Sequence, residues 1–379
     1  MKFRKVRLCD LCSIVTDYVA NGSFKTLADK VKYLNEGYAR VIRLVDYNNK
    51  YSKKDSIWVS KESYEFLKKS KLYGGEIVLT NVGANLGTVF IAPQLEYPTT
   101  LGPNAIMIKT NENDKYLYYW LKSKNGQNTI KSIVTGSAMP KFNKTDLKNI
   151  EIAIPCIEDQ DKIVEILSNI DKKIELNNQT NDNLLELIKK LYIEKIKNNN
   201  DINFEEKNLD EFCNIFTGKK NANASEENGQ YKFFTCAPEP LSINSYIYDG
   251  PAVIVAGNGA YTGRTNFYNG KFDLYQRTYG ITTNNDYIYL FYAMIYTDLQ
   301  NDIMGGTHGS AIPYIVMNDI AKFKVKYNKE LFDELSQKIK VLLLKIKSNE
   351  AQNETLEQLR DTLLPKLMNG EMNLDNIKI

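Results

Sequence analysis

The sequence predicts an α+β fold made of two tandem domains, each a mixed or antiparallel sheet with short helices and each followed by a long helix. Three observations predict it. Short patterns occur twice in the same order, glycine-rich turns separate apolar strand-like runs, and two long segments carry helical repeats of apolar residues. The expected bounds are 1–157 for the first domain, 158–200 for its helix, 201–328 for the second domain, and 329–379 for the second helix with its C-terminal tail.

Composition indicates a globular protein of the cytoplasm. A chain of 379 residues, 43% of them hydrophobic, can bury more than one core. No apolar run approaches the roughly 18–20 residues needed to span a bilayer, and the start "MKFRKVRLCDLC" lacks the apolar stretch of a signal peptide. The 5 cysteines, an odd number at irregular spacing, fit a reducing compartment.

Charge is distributed unevenly along the chain. Up to Glu158 there are 24 Lys and Arg against 15 Asp and Glu, whereas residues 201–328 have 10 against 14. The first part is therefore suited to a polyanionic partner and the second part is not. Lysine-rich surfaces also serve solubility, so charge alone does not identify the partner.

The first repeated pattern opens each domain. "VRLCDLCSIVTDY" (6–18) corresponds to "KNLDEFCNIFTGK" (207–219). Further on, "YARVIRLVD" from Tyr38 and "YKFFTCAPE" from Tyr231 both alternate like strands. The shared order of these patterns predicts a duplicated domain.

The next repeated feature is a predicted β-hairpin. "GGEIVLTNVGANLGTVFIAP" (74–93) and "DGPAVIVAGNGAYTGRTNFY" (249–268) each place a polar Gly-x-x-x-Gly turn between two apolar strands. Glycine suits such a turn because it accepts positive φ and close approach of another backbone. The turn glycines are Gly83, Gly87, Gly259 and Gly263.

A Gly-Ser-Ala-x-Pro segment follows the hairpin in each domain. It reads "GSAMPKFNKTDL" at 136–147 and "GSAIPYIVMNDI" at 309–320, and a short strand and a helix come after it. We expect it to shape a turn that returns the chain from exposed loops to the long helix, with its proline fixing φ. Residues that differ between the copies, such as Lys141 against Tyr314, are candidates for distinguishing the ligands of the two domains.

Two long helices are predicted at 159–197 and 329–368, each about 55 Å long at roughly 1.5 Å per residue. Their apolar positions correspond at an offset of 172 residues, and spacings of seven are typical of a coiled-coil seam. If the helices run antiparallel, the two halves form a pseudo-twofold object. Pro365 and the sequence Asn-Gly-Glu at 369–371 are helix-stop signals. The expected seam residues are Ile163, Leu167, Ile170, Ile174, Leu184, Leu191, Leu335, Ile339, Leu342, Ile346, Leu356 and Leu363.

Asparagines interrupt both apolar stripes at equivalent positions, Asn177 and Asn181 against Asn349 and Asn353. Such residues either form a buried polar layer that fixes register or lie where the stripe turns to the surface. One further mismatch is Ile188, whose equivalent in the second helix is a charged residue, arginine 360.

Catalytic chemistry is not expected in this chain. His308 is the only histidine, so Ser-His, Cys-His and most zinc sites have one candidate at best. It lies in "GGTHGSAIP" as either a loop-stabilising polar residue or a contact to a phosphate or base. No P-loop lysine follows the glycine turns, and there is no Asn-Pro-Pro-aromatic sequence of the kind that holds a target amine in amino-methyltransferases.

A metal site is also not expected. "CDLC" at 9–12 has the spacing of a metal knuckle, but no second Cys-x-x-Cys occurs. Cys12 recurs as Cys213 whereas Cys9 does not recur, so we interpret Cys12 as a core residue.

The repeated turns carry side chains suited to nucleic acid. Arg bonds guanine bidentately, Asn and Gln bond adenine, and Lys and Tyr contact phosphate or apolar base surface. The candidates are Lys25, Thr26, Arg43, Asn81, Asn85, Lys141 and Lys144 in the first domain, and Lys219, Lys220, Asn258, Tyr261, Arg264, Lys271, Arg277, His308 and Tyr314 in the second. Each alone is also consistent with an ordinary solvated loop residue.

Nearly the whole chain resembles the specificity (S) subunit of type I restriction-modification systems. The resemblance rests on "GSAMPKF" with "IEIAIPCIEDQDKIVEIL" in the first half and on "GSAIPY" with "LRDTLLPKLMNGE" in the second. In that family two target-recognition domains stand in tandem, each followed by a long helix.

The resemblance implies a non-catalytic DNA-recognition subunit. Each domain would read one half of a bipartite, interrupted DNA sequence, and the helices would set the gap. Two methyltransferase (M) subunits carrying S-adenosylmethionine would dock on the assembly and methylate adenine N6. Two restriction (R) subunits using ATP and Mg²⁺ complete some systems of this family, and the chain itself would hold no cofactor.

The acidic balance of the second domain departs from simple expectation. Either a local basic patch around Lys219, Lys220, Arg264, Lys271 and Arg277 faces the DNA, or the methyltransferase partners supply much of the phosphate binding.

Two other classes of protein are alternatives. A nuclease would need an unrecognised site, for which "FEEK" at 204–207 offers only a Glu-x-Lys without a preceding Pro-Asp. A coiled-coil adaptor would use the same Tyr- and Asn-bearing turns to bind another protein or a glycan.

Overall fold

The structure is a computed structural model that describes residues 1–299 and 314–374. Contacts divide these residues into two units: unit 1 contains 1–174 and 355–374, and unit 2 contains 175–299 and 314–354. Each unit includes a segment of both long helices. The predicted domain bounds stay a prediction, because the contact-based units are not continuous in sequence and so cannot be compared directly with them.

Unit 1 is built from short strands connected by short helices. Its strands are β1 (Arg4–Arg7), β2 (Cys12–Asp17), β3 (Tyr33–Leu34), β4 (Ala39–Ile42), β5 (Ile57–Val59), β6 (Lys71–Leu72), β7 (Ile77–Thr80), β8 (Val89–Ile91), β9 (Thr99–Leu101), β10 (Ala105–Thr110) and β11 (Glu151–Ile154). Its helices are α1 (Leu8–Leu11), α2 (Phe24–Lys30), α3 (Leu44–Asn48), α4 (Lys61–Phe66), α5 (Asp114–Lys122), α6 (Lys124–Ser132), α7 (Lys144–Asn149) and the first part of α8 (Ile157–Tyr192), with a 3₁₀ turn at Tyr18–Asn21.

The strands of unit 1 form three sheets. One has the order β2-β10-β7-β8 and is antiparallel throughout. A second has the order β3-β5-β4-β9-β6, in which β4 and β9 are parallel. The third pairs β1 with β11, the strand that leads into α8. The predicted mixture of antiparallel and mixed sheets with short helices is confirmed.

The described part of unit 2 has fewer and longer strands than unit 1. They are β12 (Glu205–Asn208), β13 (Asn214–Thr217), β14 (Tyr231–Phe234), β15 (Leu241–Ile243), β16 (Tyr248–Ala256), β17 (Thr265–Leu274), β18 (Thr278–Thr282) and β19 (Lys324–Tyr327). The α-helices are α9 (Tyr287–Met294), α10 (Met317–Ala321) and the first part of α11 (Lys329–Met368). Short 3₁₀ turns occur at Leu209–Glu211 and Ala222–Ala224, and π-helical turns at Ile193–Lys197 and Ile295–Leu299.

Six strands of unit 2 form one mixed sheet in the order β13-β18-β16-β17-β14-β15, with β14 parallel to β17. The pair β12 and β19 is antiparallel, and β19 leads into α11. The first strand of each domain therefore pairs with the strand that precedes the long helix, as the duplication predicts.

The second long helix ends at a glycine and not at its proline. Pro365 lies inside α11, which continues to Met368, so it is not the predicted stop signal. The backbone N–H of Glu371 donates to Lys366 and that of Gly370 donates to Leu367, while Gly370 has a φ of +72°. This is the Schellman arrangement, in which glycine takes the left-handed position at low cost. The predicted Asn-Gly-Glu stop is confirmed.

The N-terminal segment packs against this helix end. A Cβ atom placed on Gly370 would lie 2.6 Å from the Phe3 ring, so a larger residue there would displace that ring. Both residues belong to unit 1. The C-terminal end of α11 and the strand β1 region therefore lie side by side.

The two long helices run antiparallel. In unit 1, Arg360 pairs with Asp171 at 3.0 Å, and in unit 2, Asn353 bonds Asn177 and Asn349 bonds Asn181. Residue numbers rise on one helix as they fall on the other. The predicted antiparallel pairing is therefore present within each unit.

The four asparagines Asn177, Asn181, Asn349 and Asn353 form a buried polar layer, with exposed fractions of 3%, 7%, 2% and 9%. Asn177 Nδ2 donates to Asn353 Oδ1 at 2.8 Å, and Asn349 Nδ2 donates to Asn181 Oδ1 at 2.8 Å. The first member of each equivalent pair thus bonds the second member of the other pair, as in a twofold interface. The alternative that these residues turn to the surface is wrong.

The mismatch between Ile188 and Arg360 has a structural explanation. Arg360 is only partly exposed and bonds Asp171 of the opposing helix, which also accepts a 2.6 Å hydrogen bond from the Tyr119 hydroxyl. At the equivalent place in unit 2, Ile188 and Leu343 are both buried in one apolar cluster. The same layer is therefore ionic in one unit and apolar in the other.

The predicted seam residues differ in burial. The buried ones are Ile163, Leu167, Ile170, Leu335, Ile339 and Ile346. The half-buried ones are Ile174, Leu184, Leu191, Leu342, Leu356 and Leu363. Much of this apolar surface packs into the cores of the units, because Ile163 and Leu167 join the main cluster of unit 1 and Leu335 and Ile339 join that of unit 2.

The equivalent cysteines Cys12 and Cys213 both pack against the apolar clusters of their units. Burial raises the pKa of each thiol to about 12. These residues are therefore packing groups with little thiolate at neutral pH. In residues 1–299 and 314–374, no group of three or more His, Cys, Asp or Glu side chains is arranged to hold a metal ion.

Candidate nucleic-acid interface

The glycine turn of unit 1 is a closed backbone loop between β7 and β8. Gly83 and Gly87 have φ values of +95° and +88°, which only glycine adopts without strain. The N–H of Gly87 donates to the carbonyl of Thr80 at 2.9 Å, and the N–H of Leu86 donates to Gly83 at 3.1 Å. The predicted hairpin with a Gly-x-x-x-Gly turn is confirmed.

Unit 2 repeats this loop bond for bond between β16 and β17. Gly259 and Gly263 have φ values of +85° and +81°. The N–H of Gly263 donates to Ala256 at 2.8 Å, and the N–H of Thr262 donates to Gly259 at 3.1 Å. The two turns therefore hold their intervening side chains on the same backbone frame.

Each glycine turn is joined to the segment that follows its Gly-Ser-Ala-x-Pro sequence. Val82 forms a β-bridge with Lys141, and Asn258 forms the equivalent bridge with Tyr314. The backbone N–H of Phe142 donates to the carbonyl of Asn81 at 3.1 Å in unit 1. The N–H of residue 315 makes the matching 2.9 Å bond to residue 257 in unit 2. Two motifs that lie far apart in the sequence thus meet in each unit.

These loops lie where neighbouring strands end in register. In unit 1, Asp17 of β2 lies beside Ile106, and Ala105 lies beside Thr80. We call the loops that extend from these ends, 81–88, 102–104 and 135–144, the strand-end surface of unit 1.

Unit 2 has an equivalent surface. Thr217 of β13 pairs with Tyr279, and the adjacent Thr278 pairs with Ala256. The loops that extend from these ends, 218–220, 257–264, 275–277 and 314–316, form the strand-end surface of unit 2. Duplication has therefore placed a similar loop set on each unit.

Four candidates of the first domain lie on the strand-end surface of unit 1. Asn85 and Lys141 are exposed and free to meet a ligand. Asn81 uses its Nδ2 to donate to the carbonyl of Phe142 at 3.1 Å, so it holds the two motifs together. Lys144 is paired with Asp17 at 2.7 Å, and each is partly exposed.

Three candidates of the first domain lie elsewhere. Lys25 and Thr26 are on α2, where the Thr26 hydroxyl bonds the N-cap Ser23 at 2.8 Å. Arg43 precedes α3 and pairs with buried Asp46 at 2.8 Å. Lys25 is exposed, whereas Thr26 and Arg43 have local structural partners.

Four candidates of the second domain lie together on its strand-end surface. Tyr261 is 48% exposed, and the Arg264 guanidinium lies 5.9 Å from its ring centroid. Tyr314 is 38% exposed and is bridged to Asn258. An Arg guanidinium over a Tyr ring, beside an amide, offers donors, an acceptor and a flat apolar face, which is the chemistry that base edges require.

The remaining candidates of the second domain are more varied. Lys219 and Arg277 are exposed on the strand-end surface. Lys220 is paired with buried Asp273 at 2.8 Å, and Lys271 lies 4.7 Å from the ring centroid of Tyr246. Within the part of the chain that the structure describes, Lys220 is therefore the one member of the predicted basic patch that an acidic side chain neutralises. His308 lies outside the described residues.

Asp17 and Asp273 pair with candidate lysines, and the sequence interpretation did not include them. Asp17 binds Lys144, which lies 127 residues away in the sequence, and Asp273 binds Lys220, which lies 53 residues away. A local pattern gives no signal for such pairs.

Two repeated domains with matching loop surfaces, joined to paired antiparallel helices, define a tandem recognition protein. Residues 2–186 and 201–359 match the family described as type I restriction modification DNA specificity domain. The chain belongs to this family.

Named relatives agree with this assignment. The chain is 37% identical over 172 residues to the EcoDI type I restriction enzyme specificity subunit of Escherichia coli, covering 43% of this chain and 37% of that protein. It is 28% identical over 344 residues to the MjaIX specificity subunit of Methanocaldococcus jannaschii, covering 80% and 79% of the two chains.

A solved structure shares the fold. The S subunit of a type I restriction-modification system from M. genitalium superimposes with a TM-score of 0.60 over 97% of this chain and 96% of that one, at 18% identity. The family assignment does not favour the protein-binding or glycan-binding adaptor. No helix among residues 1–299 and 314–374 is long and apolar enough to cross a membrane.

Proposed function

We propose that this chain is the non-catalytic DNA sequence-specificity subunit of a type I restriction-modification complex in the cytoplasm. Each unit reads one half of a bipartite, interrupted DNA target through its strand-end surface. The observation that carries the proposal is the duplicated glycine turn with its bridge to the segment after Gly-Ser-Ala-x-Pro.

The side chains at these turns explain how two different half-sites are read. Unit 1 presents Asn85 and Lys141, and unit 2 presents Tyr261, Arg264 and Tyr314 on the same backbone frame. Asn suits adenine, whereas Arg suits guanine. The common frame positions the loops, and the substituted side chains select the bases.

The long helices act as the spacer between half-sites. Half-sites one DNA turn apart are separated by roughly 34 Å, a distance within the length of helices of 36 and 40 residues at about 1.5 Å per residue. Two methyltransferase subunits dock on this assembly and supply S-adenosylmethionine for adenine N6 methylation. Two restriction subunits with ATP and Mg²⁺ complete the complex where they are present.

The experiment is a genome-wide map of N6-methyladenine with and without this gene. We expect loss of one split motif, written as a half-site, a fixed gap and a second half-site. A methylation map that does not change when the gene is removed contradicts the proposal, provided that the strain shows active type I methylation before removal.

A binding assay separates this function from catalysis within the chain. Co-purified with its methyltransferase, the chain should retard duplex DNA containing the split motif, with affinity that falls as salt rises. The purified chain alone should neither cut nor methylate DNA when metal or S-adenosylmethionine is added. Activity of the lone chain would contradict the assignment.

A further inference from the structure

A lysine-lined groove lies on unit 1 beside its four-stranded sheet. The cavity has a volume of about 460 Å³. Its lining includes Thr16 from β2, Lys109 from β10, and Lys68, Lys69, Lys71 and Tyr73 from the segment around β6. Four lysines from two distant parts of the sequence therefore converge on one concave surface, which we call the lysine groove.

Three of these lysines carry charge that no neighbour neutralises. Lys71 is paired with Glu65 at 2.8 Å. Within the part of the chain that the structure describes, Lys68, Lys69 and Lys109 form no ion pair, and all three are exposed. The carboxylate in the groove lining is Glu76, which is buried and accepts backbone N–H bonds from the two residues at 73 and 74. Clustered like charges repel, and an anionic ligand relieves that repulsion.

The groove leads to the strand-end surface of unit 1. Thr16 of β2 lies beside Met107 of β10, and both line the groove. The next pair along the same two strands is Asp17 with Ile106, and Asp17 holds Lys144 at 2.7 Å. The groove therefore ends within a few residues of the strand ends from which the loops that we assign to base reading extend.

The described part of unit 2 has a different surface at the matching position. Ala105 lies beside Thr80 as Thr278 lies beside Ala256, so by strand register Lys109 corresponds to Thr282. Thr282 is buried and carries no charge. The lysine groove thus accounts for part of the charge difference between the two halves of the sequence.

We propose that the lysine groove binds the phosphodiester backbone of duplex DNA next to the half-site that unit 1 reads. This inference rests on the proposed function and assigns a role to Lys68, Lys69 and Lys109. Point charges on flexible stems suit phosphates, which fix register without reading sequence. Because the position of unit 2 that matches Lys109 is a buried, uncharged threonine, the two half-sites are held differently, and unit 1 supplies more of the backbone binding.

The test compares two triple variants of the full chain, each co-purified with its methyltransferase. K68Q/K69Q/K109Q removes the three unpaired charges of the groove. K50Q/K53Q/K54Q is the control, because it removes three exposed lysines of unit 1 that do not line the groove. Affinity for duplex DNA carrying the split motif is measured across a series of salt concentrations, and thermal melting checks that both variants fold.

The groove variant should bind more weakly, because fewer phosphates are neutralised. The slope of log affinity against log salt should fall in magnitude by about 0.9 for each phosphate that the variant no longer neutralises. Its recognised sequence should stay that of the wild type, and the control should keep the wild-type slope.

Three results would contradict the inference. A groove variant with the control's slope overturns it, as does a changed half-site, which would mean that the groove reads bases. A variant that no longer binds the methyltransferase, with an unchanged slope, would instead make the groove a protein-docking site. Wild-type complex that does not prefer the split motif at any salt contradicts the proposed function itself.

Discussion

Asn353 allows the contribution of one side chain of the polar layer to the free energy of unfolding to be measured. It accepts a hydrogen bond from Asn177 and donates one to Asn178 at 2.9 Å, while it is 9% exposed. Replacing Asn353 with Leu leaves polar groups on α8 without that partner, and a buried unsatisfied group costs about 1–3 kcal/mol. We predict that N353L lowers the free energy of unfolding by about 1–3 kcal/mol, measured by urea denaturation.

The matched control is Asn183→Leu, because Asn183 is exposed on α8. N183L should unfold like the wild type. Replacing all four asparagines of the layer with Leu should restore or raise stability, since an apolar layer leaves no orphan group. Equal stability of N353L and N183L would show that the layer contributes nothing.

Arg264 and Lys141 permit a reciprocal test at the two strand-end surfaces. Arg264 lies over Tyr261 in unit 2, and Lys141 is exposed beside the glycine turn of unit 1. We predict that Arg264→Ala relaxes one position of the second half-site, with a loss of about 1–3 kcal/mol of discrimination, and leaves the first half-site unchanged. Mapping N6-methyladenine in the variant strain measures both half-sites.

Lys141→Gln is the reciprocal control. It should alter binding at the first half-site and leave the second as in the wild type. The assignment of loops to half-sites is wrong if either variant changes the half-site of the other unit.

The pairing of α8 with α11 depends on a layer that differs between the two units. Asp171 and Arg360 form an ion pair in unit 1. In unit 2 the equivalent positions are occupied by the apolar residues Leu343 and Ile188. Arg360→Ile alone removes the cation from a partly exposed Asp171 and should destabilise the chain by about 1 kcal/mol, given that exposed pairs contribute up to that amount.

A double-mutant cycle measures this interaction. Asp171→Leu combined with Arg360→Ile should recover stability toward the wild type, because it recreates the apolar layer of unit 2. Tyr119 donates to Asp171 as well, so Tyr119→Phe is included in every variant of the cycle. Additive effects of the two substitutions would mean that the pair is not coupled.

The elements that the sequence predicts well are those whose signals are local. The turn glycines at 83 and 87 and the stop glycine at 370 require positive φ, and the structure has it at each. The long helices follow from apolar spacing over many turns. In contrast, the lysine groove brings Lys68 together with Lys109 from a distant part of the sequence, and only the packing of separate elements in the folded unit reveals that they share a surface.

The contrast between local signals and contacts formed in the folded unit also explains which candidate site residues lie on the strand-end surfaces. Asn85, Lys141, Tyr261 and Arg264 lie on the strand-end surfaces because they belong to the repeated turns. Arg43 resembles a binding residue by type, but its charge is used by an aspartate three residues later. Side-chain partners formed within the fold decide which polar residues remain available, and composition does not report them.

The packing of α8 and α11 decides which seven-residue segments can be deleted to shorten the helices. Ile163 to Asn169 and Leu335 to Val341 are equivalent heptads, but residues of both pack into the cores of the units. Seven-residue segments that face each other across the helix pair are better targets for deletion. Removing 172–178 together with 352–358 leaves the ion pair of residues 171 and 360 and the hydrogen bond of residues 181 and 349 on either side of the cut.

We predict that this paired deletion shortens the gap between half-sites by about three base pairs. Seven residues at about 1.5 Å per residue remove about 10 Å, and one base pair rises about 3.4 Å. Both half-sites should remain as in the wild type, because neither strand-end surface is touched. Methylation mapping reads gap and half-sites together, and an altered half-site with the original gap would contradict the spacer role.

The packing of Phe3 against Gly370 gives the duplicated chain a cyclic order. The strand β1 follows the end of α11 in space as the strand β12 follows the end of α8 in sequence. A circular permutant that joined these neighbouring ends and opened the chain between 198 and 204 would pass through the same elements in the same cyclic sequence. The position of the chain termini therefore decides which recognition unit comes first in the sequence. The contacts of the fold are the same for either order.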